Sequence, residues 1–361
     1  MLRVSSTVRF LLLTATAAMV AAACGGSTGT PAATDVGKGS LTGAGATFPG
    51  PFYNKAFADY SIKYPQVTVN YQAVGSGAGI KQFQAKTVDF GASDVPMTSA
   101  EVDGAGGSAA LAEIPTTLGV ISVAFNVSGV SDLKLDGDTL AAIFMGTIKN
   151  WNDPKIAALN SGVTFPNKAI TLVHRSDGSG TTYHFTDYLA KISPAWKSKT
   201  NSPAKSISWP IGTGASGNQA VAQAITSTDG AIGYVELAYV VQTGMKQAAI
   251  ENANGKFVKA SVEGATAAAA TNKNVTPTSF SITNAACDTC YPIAAFSWAI
   301  LFTEYSDADK GKAVVNLFKW LVTDGQKNGT DLQYAPLPSA VQQLALSNLK
   351  TIKAGGSNVL S

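Results

Sequence analysis

The sequence predicts an α/β protein of two lobes facing a cleft, and three observations carry that expectation. Short apolar strands alternate with amphipathic helical segments from residue 41 onward. The roughly 320 residues that remain after that point exceed a comfortable single α/β core. Gly/Ser/Thr turns recur immediately before helical segments. In chain order, Phe52, Tyr53, Ala56, Phe57 and Tyr60 repeat at helical spacing, and Val67 to Tyr71 alternates as a strand does. Val120 to Phe125 is an apolar run broken only by Ser122, suited to a buried strand, and Ile170 to Val173 is another. Phe185, Tyr188 and Leu189, and later Val314, Val315, Leu317, Phe318 and Leu321, return to helical spacing.

The first residues predict export. Arg3 and Arg9 supply a positive region, Phe10 to Val20 an apolar stretch too short to span a bilayer, and Ala21-Ala22-Ala23-Cys24 a small-residue close. The segment resembles a bacterial lipobox, with Ala21 where Leu or Val is more usual. That resemblance implies a lipoprotein signal peptide over residues 1–23 and a lipidated Cys24, carrying palmitate, as first mature residue. No later segment is long enough to cross a membrane, so the expected location is the outer face of the cell membrane, reached through a lipid anchor. Residues 24–40 hold almost nothing that packs and read as a tether.

Composition narrows the function. Charged residues are only 14% of the chain, and removal of residues 1–23 leaves 24 basic and 23 acidic side chains, a balance of +1. There is no basic run or stripe to hold a nucleic acid. Cys287 and Cys290 in Cys-Asp-Thr-Cys predict a disulfide in an exported chain; a thioredoxin-like pair would open a helix, whereas Tyr291-Pro292 follows at once. The two histidines, His174 and His184, lack zinc-pair spacing, so no metal and no cofactor is expected.

Three turns stand before helical segments: Gly43-Ala44-Gly45-Ala46-Thr47-Phe48-Pro49, Gly75-Ser76-Gly77-Ala78-Gly79 and Asp177-Gly178-Ser179-Gly180-Thr181. A helix N-terminus leaves its first amides unpaired and carries partial positive charge, so converging turns suit a compact oxyanion, while each alone also reads as an ordinary cap. Arg175, just upstream of the third, adds a planar cation whose fork matches two oxygens, and Asp177 is placed to hold it.

These turns, with Asp89-Phe90-Gly91-Ala92-Ser93-Asp94 and Gly230-Ala231-Ile232-Gly233-Tyr234-Val235-Glu236, occur in the same order as in a known family. Over residues 41 to about 345 the chain resembles the phosphate-binding proteins of the bacterial high-affinity phosphate ABC importer. The resemblance implies the type II periplasmic-binding-protein fold, whose chain crosses twice between lobes. Lobe I is then 41–118 plus 293–361 and lobe II is 119–292, with crossings near Leu118 to Ala124 and Ile293 to Ile300. It implies phosphate ligands at Thr47, Phe48 (through its N–H), Ser76, Asp94, Arg175, Ser179, Gly180 and Thr181. Of the second turn only Ser76 transfers, because the family often reads Gly-Ser-Ser-Gly-Gly there. It further implies a non-catalytic monomer that delivers inorganic phosphate to the permease subunits and ATPase of an importer.

Asp94 has a chemical reading of its own. Phosphate at neutral pH still carries a P–OH that donates to a carboxylate, whereas sulfate has no proton and leaves that acceptor unpaired, which makes Asp94 the expected discriminator. A helix cap or surface charge is its ordinary alternative. A carrier for another oxyanion, a phosphate sensor and a phosphate-ester hydrolase are the competing functions. Gly212 to Gly217 fits the dinucleotide fingerprint but follows Trp209-Pro210-Ile211 rather than a clear strand, and Ser179 lacks the elbow of a serine hydrolase, with His184 on the same helix facing away. If two lobes close on the ion, small-angle scattering shows a smaller radius of gyration with phosphate than without; an unchanged radius excludes closure.

Overall fold

The apolar runs become strands of one nine-stranded sheet in the computed structural model, which describes residues 35–200 and 202–360. Its order is Val67–Ala73, Gly39–Gly45, Phe90–Ser93, Ala294–Phe302, Leu111–Asn126, Ala231–Glu236, Thr171–Arg175, Thr213–Ala215, with Lys246–Gln247 added beside Leu111–Asn126. The first three strands are mutually parallel, as are Ala231–Glu236, Thr171–Arg175 and Thr213–Ala215. Helices return the chain between them: Gly50–Lys63, Ser76–Gln84, Gly180–Ile192 and Gly217–Ser227 each follow a sheet strand at its carboxyl end. The predicted helix over Val314 to Leu321 is the helix Ala308–Leu321.

The strand predicted at Val120 to Phe125 is longer, running from Leu111 to Asn126 and buried along almost all of its length. Glu113, Pro115, Thr116 and Thr117 break the apolar pattern that marks its second half, so periodicity alone stops short. A register shift between Ser297 and Trp298 accommodates Pro115, which has no ladder proton to give. Thr116 beside it is satisfied internally: its hydroxyl donates to the Ser297 carbonyl at 3.0 Å and meets the Tyr53 hydroxyl at 2.6 Å. Residues 111–120 of this strand pair with Ala294–Phe302 and residues 121–126 with Ala231–Glu236, so one strand joins the two parallel groups.

From Val36 onward the chain packs as one compact unit. The end of the expected tether belongs to it: Val36 is buried and Gly39–Gly45 is already a strand, because a single apolar side chain and a run of pairing backbone suffice for packing where composition reads as linker. The signal segment, Cys24 and the rest of the tether lie outside the described residues. Cys287 and Cys290 sit in a loop with sulfurs at bonding distance and Cα atoms 5.2 Å apart; no helix begins there. The Asn252 amide donates to the carbonyls of Cys287, Asp288 and Cys290 and pins that loop.

The helix Ser76–Gln84 lies directly on the strand Gly39–Gly45, with Ile80 and Phe83 in a small cluster with Ala44 and Ile300. Gly79 permits that approach: a Cβ there would lie 2.3 Å from the Gly45 Cα and 2.6 Å from the Ala44 carbonyl oxygen. Alanine is about 1 kcal/mol the better helix former, but a clash with backbone costs about 1–3 kcal/mol or more. Gly79→Ala is therefore expected to lower stability in urea unfolding; an increase would show that the helix moves freely on the sheet.

Candidate functional site

Four helix N-termini meet at one buried place. Gly50–Lys63 begins behind Thr47 and Phe48, Ser76–Gln84 begins at Ser76, Gly180–Ile192 begins behind Ser179, and Gly217–Ser227 brings in Asn218. Only the third has a side-chain cap, Ser179 Oγ accepting from the Thr182 amide at 3.1 Å; the other three have none. Several first amides are engaged by neighbouring turns, Gly50 with the Thr47 carbonyl, Gly77 with the Gly178 carbonyl and Gly180 with Ser76 Oγ, while the helix dipoles still point at whatever lies between them.

The sequence-predicted residues are brought together here. Thr47, Phe48, Ser76, Asp94, Arg175, Ser179 and Thr181 are all buried, none more than 6% exposed. Gly180 lies against Asp94: a Cβ at 180 would approach Asp94 Cβ to 2.4 Å and Oδ2 to 2.6 Å. Ser76 Oγ accepts from the Gly180 amide at 3.2 Å and the Asp94 amide at 3.3 Å. Asp177 grips Arg175 through both oxygens, Nε–Oδ1 at 2.7 Å and Nη2–Oδ2 at 2.5 Å, and takes the Gly217 amide at 3.0 Å. Burial works against its ionised form, but the Arg175 hydrogen bonds and charge win and hold the Asp177 carboxyl below the usual range.

Counting protons shows what the site offers. Thr47 Oγ1 accepts from the Asn218 amide at 3.1 Å and from Asn218 Nδ2 at 2.9 Å. Thr181 Oγ1 accepts from Arg175 Nη1 at 3.3 Å and Asn218 Nδ2 at 3.2 Å. With Ser76 treated the same way by two amides, three hydroxyls have both lone pairs engaged and are left only a proton to give. Asp177 is spent on Arg175. The remaining acceptor is Asp94, whose Oδ1 takes the Ser297 hydroxyl at 2.8 Å. The site thus gathers many donors and one free carboxylate acceptor.

Sequence reasoning missed several of these partners. Asn218 follows Gly212 to Gly217, the stretch weighed as a nucleotide fingerprint; Thr213–Ala215 is in fact a short strand, and the Gly/Ser turn before its helix repeats the theme of the other three. Ser297 is one polar residue in an apolar strand and carries no local signal. His184 Nε2 donates to the Asp94 backbone carbonyl at 2.8 Å. Burial pushes the imidazole pKa down and keeps it neutral. Among the described residues no group of three or more His, Cys, Asp or Glu converges as a metal site, and no helix is long and apolar enough to cross a membrane.

Burial pushes the Asp94 carboxyl up to about 7, against the Ser297 hydroxyl, the Arg175 charge and the Ser76 hydroxyl, which all favour the ionised form. In the unfolded chain the same group titrates near 3.8. A carboxyl raised by folding costs stability progressively as pH rises from the unfolded value through the folded one. In anion-free protein, Asp94→Asn is thus expected to be more stable than the parent above pH 7, by roughly 2–4 kcal/mol, with the gap closing toward pH 4. A gap independent of pH in denaturant titrations would mean that folding leaves the Asp94 carboxyl at its unfolded value.

Comparison with known proteins agrees with this architecture. Residues 29–324 match the family model of the PBP superfamily domain. The chain is 42% identical over 317 residues to the phosphate-binding protein PstS of Haemophilus influenzae, covering 86% of this chain and 93% of that protein. It is 40% identical over 319 residues to the PstS of Xylella fastidiosa strain 9a5c, covering 87% and 86%. In structure it resembles the phosphate-binding protein of Stenotrophomonas maltophilia with a TM-score of 0.66 at 22% identity, over 86% of this chain and 93% of that one. The curled α/β sheet with four helix starts facing one cleft is therefore a periplasmic-binding-protein fold, and the chain belongs to the PstS family of phosphate-binding proteins.

Proposed function

We propose that this protein binds inorganic phosphate between its two parallel-strand groups, outside the cytoplasmic membrane, and passes it unchanged to the permease of an ABC importer. The single observation that supports this most is the proton count: hydroxyls obliged to donate, one caged guanidinium and one carboxylate acceptor. The ligand set is Thr47, the Phe48 N–H, Ser76, Asp94, Arg175, Ser179, Gly180 and Thr181, with Asp177 holding Arg175 and Asn218 orienting Thr47 and Thr181. Residues 41–118 with 293–361 form one lobe and 119–292 the other, closing on the ion about the strands Leu111–Asn126 and Ala294–Phe302. A lipid on Cys24 keeps the monomer at the membrane, and a Cys287–Cys290 disulfide staples a loop of the second lobe.

Asp94 sets the selectivity. Monohydrogen phosphate gives its P–OH to the ionised carboxylate; sulfate brings only acceptors, and an unpaired charged acceptor in a buried site costs several kcal/mol, where about 1.4 kcal/mol is tenfold in affinity. A neutral Asp94 would itself donate, so the barrier to sulfate falls as pH drops through the value near 7.

Calorimetric titration of protein unfolded and refolded to strip bound anion is the test. Phosphate is expected to bind one to one at pH 8 with no sulfate signal, and sulfate binding to emerge near pH 5. Asp94→Asn is expected to narrow the phosphate preference by at least about tenfold, the worth of one charged hydrogen bond. Equal affinity of the parent protein for both anions at pH 8 would remove the role given to Asp94, and no phosphate binding at all would remove the function.

A further inference from the structure

Behind the anion site lies a buried carboxyl that forms no salt bridge among the described residues. Glu236 ends the strand Ala231–Glu236 and is fully buried. Its Oε2 accepts from the Ala238 amide at 2.9 Å and stands 3.0 Å from the Tyr334 hydroxyl, while Oε1 has no hydrogen-bond partner. The titratable groups that act on it are Asp94, Tyr239 and Tyr334, and the Arg175 charge, gripped by Asp177, acts on Asp94 and Tyr239 beside it. Its own backbone amide donates to Asn218 Oδ1 at 3.1 Å, which couples the strand end to the residue that orients Thr47 and Thr181.

The Tyr334 hydroxyl has one proton and two oxygens in reach. The Phe48 carbonyl, 2.6 Å away, can only accept, and two oxygens at that separation without a proton between them repel, so the Tyr334 proton belongs to Phe48. The contact with Glu236 Oε2 then needs a proton from the other side. An ionised Glu236 would instead leave a buried charge with one unpaired oxygen, beside the Asp94 carboxylate, at a cost of several kcal/mol.

We propose that Glu236 is a neutral carboxylic acid that positions the anion-binding turn: its proton goes to Tyr334, and the Tyr334 proton goes to the Phe48 carbonyl. The relay fixes the Thr47–Phe48 turn from behind, and Tyr239 completes the hold by donating to the Thr47 carbonyl at 2.6 Å. Ionisation of Glu236 would draw the Tyr334 proton back, strip the Phe48 carbonyl of its donor and loosen the turn. Burial, with Asp94 adding to it, pushes the Glu236 carboxyl well above the ordinary carboxylate range, in keeping with the proton it holds.

The protonation state is read without any ligand. In protein labelled with carbon-13 glutamate and free of anion, the infrared difference between the parent and Glu236→Gln at pH 7 is expected to contain the carbonyl stretch of a neutral carboxylic acid. Carboxylate bands in its place would overturn the proposal. Should the variant not fold, the parent alone decides: Glu113, also pushed up by burial to about 7, is ionised by about pH 8.5, so a neutral glutamate band persisting there belongs to Glu236, and its absence overturns the proposal.

The positioning role rests on the phosphate reading and is tested by titration with inorganic phosphate. Glu236→Ala is expected to weaken binding at least about tenfold, as is Tyr334→Phe, with no further loss in the double variant because both remove one relay. Glu236→Gln, whose nitrogen in place of Oε2 gives Tyr334 a proton but loses the Ala238 amide bond, is expected to bind at least about threefold more tightly than Glu236→Ala. Equal losses for Gln and Ala would show that the side chain only fills space. Failure of the parent to bind phosphate would sink the proposed function while leaving the infrared result to stand on its own.

Discussion

An anion taken out of water must find a donor for each of its lone pairs, and a protein that surrounds it with bare cations binds every anion of that size alike. The site here is organised by the opposite constraint. Its one guanidinium is spent largely on Asp177, and the donors are neutral groups whose direction is forced because their own lone pairs are already occupied. Thr47, Thr181 and Ser76 can do nothing but donate, and that compulsion depends on Asn218 and on two backbone amides being held to a few tenths of an ångström. Most of the fold serves that precision: each donor stands at a helix start, and each helix start is set by a strand of the same sheet.

Asp94 is the member that costs the fold most. A buried carboxylate in a site built for anions destabilises the empty protein, and the burial that raises its pKa is the same burial that would make an unmatched acceptor expensive for a ligand without a proton. Ser297 and His184, on separate elements, hold its side chain and its carbonyl in place.

Glu236 shows the same economy of protons behind the site. Two buried carboxyls lie within each other's field, and on the proposal made here only one of them is charged. That separation of roles follows from surroundings: Asp94 is supported by Arg175 and two hydroxyls, whereas Glu236 faces tyrosines and a backbone amide.

Much of this was legible in the chain. Apolar periodicity located the strands Val67–Ala73 and Thr171–Arg175 and the helices Gly50–Lys63, Gly180–Ile192 and Ala308–Leu321, because local spacing reports which face is buried. The Gly/Ser/Thr turns marked three of the four helix starts, because small residues before a helix have a local geometric cause. What stayed hidden was whatever depends on contact between distant segments: the first half of Leu111–Asn126, where Pro115 is tolerated only through a shift opposite Ser297; the role of Asn218, 171 positions from Thr47; and the Glu236–Tyr334–Phe48 relay, which spans 286 positions. Residue types and spacings determined which groups are able to donate or accept. Only the packing of the sheet decided which lone pairs were filled, and hence which way each proton points.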